Sequence, residues 1–186
     1  MRDFFIRDTL FLRPLEPEDL DLLYQWENDT RLWKNGSTIT PFSRFVLRQY
    51  LVDARQDIYQ VRQLRMMIVE KESNKAAGTI DLYDFDPQNG RAGVGILVDE
   101  NFRKKGYALQ ALSSMEDYAF NHLKLHQLYA FVPAGNLPSR ALFEKAHYER
   151  SGILKDWTSI DRSFTDVIVM QKINKSTYAG RHQESV

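Results

Sequence analysis

The spacing of apolar residues changes in blocks along this chain, and each change predicts an element. Leu10, Phe11 and Leu12 with Arg13 form a short strand-like run closed by Pro14. Glu16-Pro17-Glu18-Asp19 then supplies acids and a proline at a helix start, where the dipole favours negative charge and a missing N–H costs nothing. That helix is expected to reach about Asn28, with Leu20, Leu23, Tyr24 and Glu27 at helical spacing beside Trp26, although Leu22 intrudes on the period. Arg31 to Thr40 reads as a loop. Pro41 opens a second expected helix, on which Phe42, Phe45, Val46, Gln49 and Tyr50 recur.

Strands follow at Met66 to Lys71 and Ala77 to Phe85, with a turn at Glu72 to Lys75 between them. Asp86-Pro87-Gln88-Asn89-Gly90 is a further turn, because proline presets one turn angle and Asn-Gly accepts positive φ, so Arg91 to Val98 returns antiparallel. From Gly106 to Lys124 the period becomes helical, with Ala108, Leu112, Met115, Ala119 and Leu123 on one face. Gln127 to Val132 is a strand, Pro133 to Leu137 a loop, Pro138 to Ala146 a helix, and Glu149 to Trp157 and Phe164 to Ile173 the last two strands. His147 reads as a helix stop, since histidine tolerates left-handed geometry. The order β-α-α-β-β-β-α-β-α-β-β is that of one α/β domain over residues 1–173. The polar stretch 174–186 reads as a flexible tail.

Composition narrows the partners. A chain of 186 residues, 43% hydrophobic, can bury one core and is short for two. Its 25 basic and 25 acidic residues leave no net field for nucleic acid or an anionic membrane, so neither is an expected partner. The lack of cysteine removes disulfides, thiolate zinc sites and cysteine nucleophiles. Arg2, Asp3, Arg7 and Asp8 break up the first residues, unlike a signal peptide, and no run approaches the ~20 apolar residues of a membrane span. A cytoplasmic location is the expectation.

Candidate chemistry begins at Arg103-Lys104-Lys105-Gly106-Tyr107-Ala108, which follows a strand and opens a helix. A helix amino terminus presents unpaired N–H groups and the positive end of the dipole. Gly106 and Ala108 leave the backbone uncovered, and three cations add charge. Alone, these residues fit either an anion site or a basic turn before an ordinary helix; GxxxxGK[ST] and GxGxxG are both missing. A second strand-loop-helix unit follows, Tyr129 to Val132 and then Asn136 to Lys145. Together Arg103, Gly106 and Ala108, then Asn136, Ser139, Glu144 and Lys145, resemble the GNAT acetyltransferases, whose pattern is (Arg/Gln)-x-x-Gly-x-(Gly/Ala) and then Asn-x-x-Ser with a following Glu-Lys. The resemblance spans roughly residues 9 to 173. Leu10 to Pro14 and Pro17 to Leu20 are similar to the opening of the ribosomal-protein N-terminal acetyltransferase and spermidine acetyltransferase branch.

The resemblance implies a mixed, twisted, mostly antiparallel sheet with helices on both faces, in which the strand of Gly95 to Val98 splays from that of Leu128 to Val132. Acetyl-coenzyme A, as co-substrate, would lie in the gap. The main chain of Ile96, Leu97 and Val98 would bond its pantetheine arm, although any buried strand looks like this one. Arg103, Lys104, Lys105, Gly106, Tyr107 and Ala108 would hold the pyrophosphate, and Asn136, Ser139, Phe143 and Lys145 would add contacts. The purely structural role for Asn136 is that of a loop or helix-cap residue before Pro138.

Catalysis in the family is direct attack of a free amine on the thioester, and an aliphatic amine with a pKa near ~10 must first lose a proton. Asp81 falls where the spermidine branch carries a glutamate and is the candidate base or amine-positioning group; an alternating strand also sets such acids on its wet face. The family's usual proton donor to the leaving thiolate is a tyrosine at the position of Phe143, and a phenyl ring cannot donate. Ser139 or solvent is expected to substitute, with Tyr148 assigned to the core. The resemblance puts Trp33, Lys34, Asn35 and Gly36, and Phe164, Thr165 and Asp166, around the acceptor. Glu27, Trp33, Asp81 and Asp84 are the acceptor candidates, their acids suited to a cationic polyamine such as spermidine. A protein amino terminus is the alternative acceptor and a non-catalytic acyl-coenzyme A binding module the alternative class. A homo-oligomer is expected.

Overall fold

A computed structural model describes residues 3–33, 36, 40–54, 57–160 and 163–175; Lys34, Asn35 and the tail from residue 176 lie outside them. Strand β1 (Leu10–Pro14) leads through a 3-10 turn at Pro17–Asp19 into α1 (Leu20–Glu27), α2 (Thr30–Trp33), α3 (Arg44–Asp53) and α4 (Ile58–Val61). Next come β2 (Leu64–Glu70), β3 (Ala76–Asp86), β4 (Arg91–Val98), α5 (Tyr107–Asn121), β5 (Gln127–Pro133), α6 (Leu137–Lys145), β6 (Glu149–Ile160) and β7 (Ser163–Ile173). The strands form one sheet in the order β1-β2-β3-β4-β5-β7-β6. Every neighbouring pair is antiparallel except β4 and β5, which is the mixed, mostly antiparallel sheet the sequence resemblance implies.

Apolar alternation explains the two layers. Met66 and Ile68 of β2 face the core under α5, with Leu112, Met115, Ala119, Ile80, Leu82 and Leu128. Met67 and Val69, one residue out of phase, join Leu23, Trp26 and Leu51 under α1 and α3. The face expected of α5 is the buried one. His147 ends α6 in left-handed geometry at φ 63°, as its position after the helix suggests.

Three local expectations need correction. The first turn of the first helix is 3-10, with Asp19 buried against Arg13 at 2.7 Å and accepting the Glu16 N–H at 2.8 Å. Helix α3 starts after Ser43, whose hydroxyl accepts the Val46 N–H at 3.2 Å, and Pro41 precedes it. Its buried side is Leu47 and Leu51, leaving Phe45 75% exposed; α3 carries apolar residues all round, and the side that meets α1 and the sheet wins. Helices α2 and α4 have too few residues for a period to register. Helix α4 rests on its caps, with the Asp57 carboxylate accepting the Tyr59 N–H at 2.7 Å and Arg62 closing it at φ 58°.

Gly78 of β3 is needed for close approach. A Cβ there would overlap the Leu97 carbonyl of β4. Gly78→Ala is therefore expected to push β3 from β4 at a cost of about 1–3 kcal/mol, seen in thermal unfolding as a melting temperature lower by roughly 3–10 °C.

Candidate active site

The parallel ladder between β4 and β5 is three pairs long: Arg91 with Gln127, Ala92 with Leu128, and Gly93 with Tyr129. Beyond it Val94 to Val98 pair only with β3, and Ala130 to Pro133 only with β7. The result is a wedge inside the sheet, along which Ile96, Leu97 and Val98 lie half-buried. Main-chain groups on the wedge side of β4 have lost their ladder partner and suit an extended ligand that offers its own amides.

The wedge opens toward the amino terminus of α5. Strand β4 gives way to Asp99, which accepts the indole N–H of Trp26 at 2.9 Å and caps the next turn through the Asn101 N–H at 2.9 Å. Arg103 returns its Nε–H to the Val98 carbonyl at 3.1 Å. Lys104 and Gly106 then adopt φ 63° and 80°, so two left-handed residues deliver Tyr107 as the first helical one. The Gln110 N–H reaches the Gly106 carbonyl at 3.2 Å. The N–H groups of Tyr107, Ala108 and Leu109 precede that bond and have no intrahelical acceptor. A Cβ on Gly106 would meet nothing within 4 Å, so the space before the helix is open. This cradle fits a pyrophosphate.

Two side chains expected at the cradle are engaged elsewhere. Tyr107 is buried, with its hydroxyl donating to Glu70 of β2, and Lys105 Nζ sits 3.2 Å from the same carboxylate. At the cradle Tyr107 contributes backbone. Donation from Ser73, then from Tyr107, draws the Glu70 carboxyl from 4.5 down to about 2. A depressed carboxylate stabilises the fold fully above its unfolded pKa, and that contribution is lost as pH falls through the folded one. Glu70→Gln should thus flatten the loss of melting temperature in acid between pH 4.5 and about 2, measured by thermal unfolding across a pH series.

On the other wall, Asn136 caps α6 by accepting the Ser139 N–H at 3.2 Å, so the capping role is realised. Ser139 lies half-buried in the first turn of α6, and Lys145 is exposed in its last. Phe143 is buried edge-on to Tyr148 at 5.0 Å. Tyr148 is core, as expected, beside the ion pair of Glu116 and Lys172 at 2.6 Å.

The face of the sheet under α1 and α3 carries the acids. Arg65 of β2 bonds Asp81 at 2.5 Å and Glu27 at 2.6 Å, Gln63 donates to Asp81 at 3.0 Å, and the guanidinium lies 5.4 Å from the Tyr50 ring centre. Burial opposes the charge of Arg65, but Asp81, Tyr50 and Glu27 more than offset it and raise its pKa. Burial pushes the Tyr50 phenol up to about 12. Trp33 joins the group by donating its indole N–H to the Glu27 carbonyl at 2.8 Å. Asp81 pairs across the strands with Gly95, so no β4 side chain stands at that step between it and the wedge. Asp84 is apart, exposed on the β3 bulge at φ 48° and lining a cavity of about 640 Å³ with Arg91, Tyr129 and Phe131. Phe164 is exposed, and Asp166 pairs with Lys155 at 2.7 Å.

Sequence reading missed Arg65, Glu70 and Tyr83. Arg65 fell just before the expected start of its strand, and Glu70 passed as an ordinary strand residue. Tyr83 had a signal, two residues beyond Asp81 on the same strand face. Its ring lies across Gly93, where a Cβ would overlap it, and edge-on to Tyr129 at 6.0 Å.

The acetyltransferase (GNAT) domain matches residues 9–149 of the chain. An uncharacterized N-acetyltransferase, p20, of Bacillus licheniformis is 31% identical over 174 residues, 93% of this chain and 97% of that protein. The spermidine N(1)-acetyltransferase of Escherichia coli is 29% identical over 86% of this chain and 83% of its own. Among solved structures, spermidine N-acetyltransferase from Vibrio cholerae in complex with CoA and spermine superposes with a TM-score of 0.82. It covers 93% of this chain and 99% of its own at 22% identity, a likeness of fold.

Proposed function

Because the chain belongs to the GNAT acetyltransferase family, which uses acetyl-coenzyme A, we propose that it acetylates a primary amine of a small diamine or polyamine such as spermidine. The observation that carries this reading is the wedge between β4 and β5, with an anion cradle at one end and an acidic cluster on the neighbouring strand face. The main chain of Ile96 to Val98 bonds the pantetheine arm. The N–H groups of Tyr107, Ala108 and Leu109, with Arg103 and Lys104, hold the pyrophosphate. In the acceptor cluster Glu27 and Asp81 carry two negative charges against the one positive charge of Arg65, which leaves a net negative site for a cation. Asp81, oriented by Arg65 and Gln63, positions the amine so that its neutral nitrogen meets the thioester carbonyl carbon. Self-association belongs to the same reading, supported by exposed Phe131, Trp157 and Phe164, and light scattering on the purified chain tests it.

The test is thiol release with acetyl-coenzyme A and a panel of diamines, polyamines and peptides with free amino termini, with products weighed by mass spectrometry. A monoacetylated polyamine is the expected product. Turnover of peptides alone would transfer the assignment to a protein amino terminus. Tight coenzyme A binding without thiol release for any amine would make the chain a binding module.

A further inference from the structure

Amide formation releases a sulfur that needs a proton, and α6 offers no phenol for it. Phe143 has no donor, and Tyr148, packed edge-on against it, is buried in the core next to Glu116 and Lys172. Another phenol stands at the point where β4 and β5 part. Tyr83 reaches from β3 over Gly93, the last β4 residue in the parallel ladder, and the backbone of Phe131 on β5 is hydrogen-bonding neighbour to its hydroxyl. The crossing needs two glycines. A Cβ on Gly93 would strike the Tyr83 ring, and one on Gly95 would touch its other edge at 3.8 Å. Three strands thus bring one hydroxyl to the apex of the wedge.

We propose that Tyr83 donates the proton to the sulfur that leaves when the amide forms. The inference rests on the acetyltransferase reading above. The amine nitrogen forms its bond to the carbonyl carbon, the carbon–sulfur bond breaks with its electron pair staying on sulfur, and sulfur takes the phenolic proton. The Tyr83 phenolate then regains a proton from the nitrogen that has become an amide, so free thiol and neutral amide are the products. Burial, then Tyr129, with Asp84 and Asp81 adding less, hold the Tyr83 phenol protonated well above its ordinary range, although the hydrogen bond from the Phe131 backbone opposes them. Opposite the ring, β4 presents Gly93 and so places no titratable group there. The phenol therefore reaches the reaction with its proton in place.

The experiment compares wild type with Tyr83→Phe in the full chain. Calorimetry measures coenzyme A binding, ultraviolet absorbance of the thiolate titrates the bound thiol, and steady-state kinetics separates kcat from KM. Tyr83→Phe is expected to bind coenzyme A within about twofold of wild type, to lose roughly a hundredfold in kcat, and to raise the pKa of the bound thiol by about one unit because the thiolate loses its donor. Gly93→Ala, which keeps the tyrosine but displaces its ring, should reproduce both changes. An unaltered thiol titration and kcat in Tyr83→Phe, in a protein whose wild type acetylates an amine, would overturn the inference and leave the acetyltransferase reading intact. So would a shifted thiol titration in Ser139→Ala with none in Tyr83→Phe. Absence of transfer by the wild type would remove both.

Discussion

Valine in place of Gly106 is expected to weaken coenzyme A binding about a hundredfold, roughly 2.7 kcal/mol, in a protein that still folds. Two effects separate affinity from stability here. At φ 80° any side chain is strained, at a cost of about 1–2 kcal/mol, yet the new Cβ points into open space and displaces no protein atom. Gly106 immediately precedes Tyr107, Ala108 and Leu109, whose N–H groups a pyrophosphate in the cradle would approach to hydrogen-bond distance. Calorimetric titration with coenzyme A against a thermal-unfolding control measures both quantities. Unchanged affinity in Gly106→Val would mean that the anion binds elsewhere.

The second large effect is on stability. Arg65→Ala is expected to cost about 3–5 kcal/mol, because it leaves two partly buried carboxylates without their shared cation. Glu27 and Asp81 each lie within 2.6 Å of the guanidinium, and Arg65 links α1 to β2 and β3. Chemical denaturation would show the loss as a lower midpoint with an unchanged slope. Salt offers a further readout, since the two carboxylates left facing each other repel less as ionic strength rises. A stability loss below about 1 kcal/mol, the range of exposed pairs, would mean that the cluster is solvated.

What could be read in the sequence was what neighbouring residues decide. The helical period of α5 was legible because Leu112, Met115 and Ala119 sit on one clean face, and His147 because the position after a helix favours left-handed geometry. The cradle was legible for the same reason, as glycine and cations sit together between a strand and a helix. Helix α3 was harder, since Phe45, Val46, Leu47 and Leu51 surround it and only contact with α1 and the sheet selects Leu47 and Leu51. The acidic cluster around Arg65 was half legible. Glu27, Trp33 and Asp81 stand far apart in the sequence, and the arginine that joins Glu27 to Asp81 lies on another strand, where registry between β2 and β3 brings it to them. Tyr83 required knowing that Gly93 would stand opposite it, again a matter of registry.

The three-pair ladder between β4 and β5 has a consequence for solubility. A seven-stranded sheet ordinarily shows two edges, at its first and last strands; here β4 and β5 add two more inside the sheet, each a row of amide groups able to accept a foreign strand. The pantetheine arm, with its own amides, would act as a surrogate strand along one of them. On the proposed reading the ligand-free protein would be the form exposed to mispairing between copies, and the loaded one would have that interior edge covered.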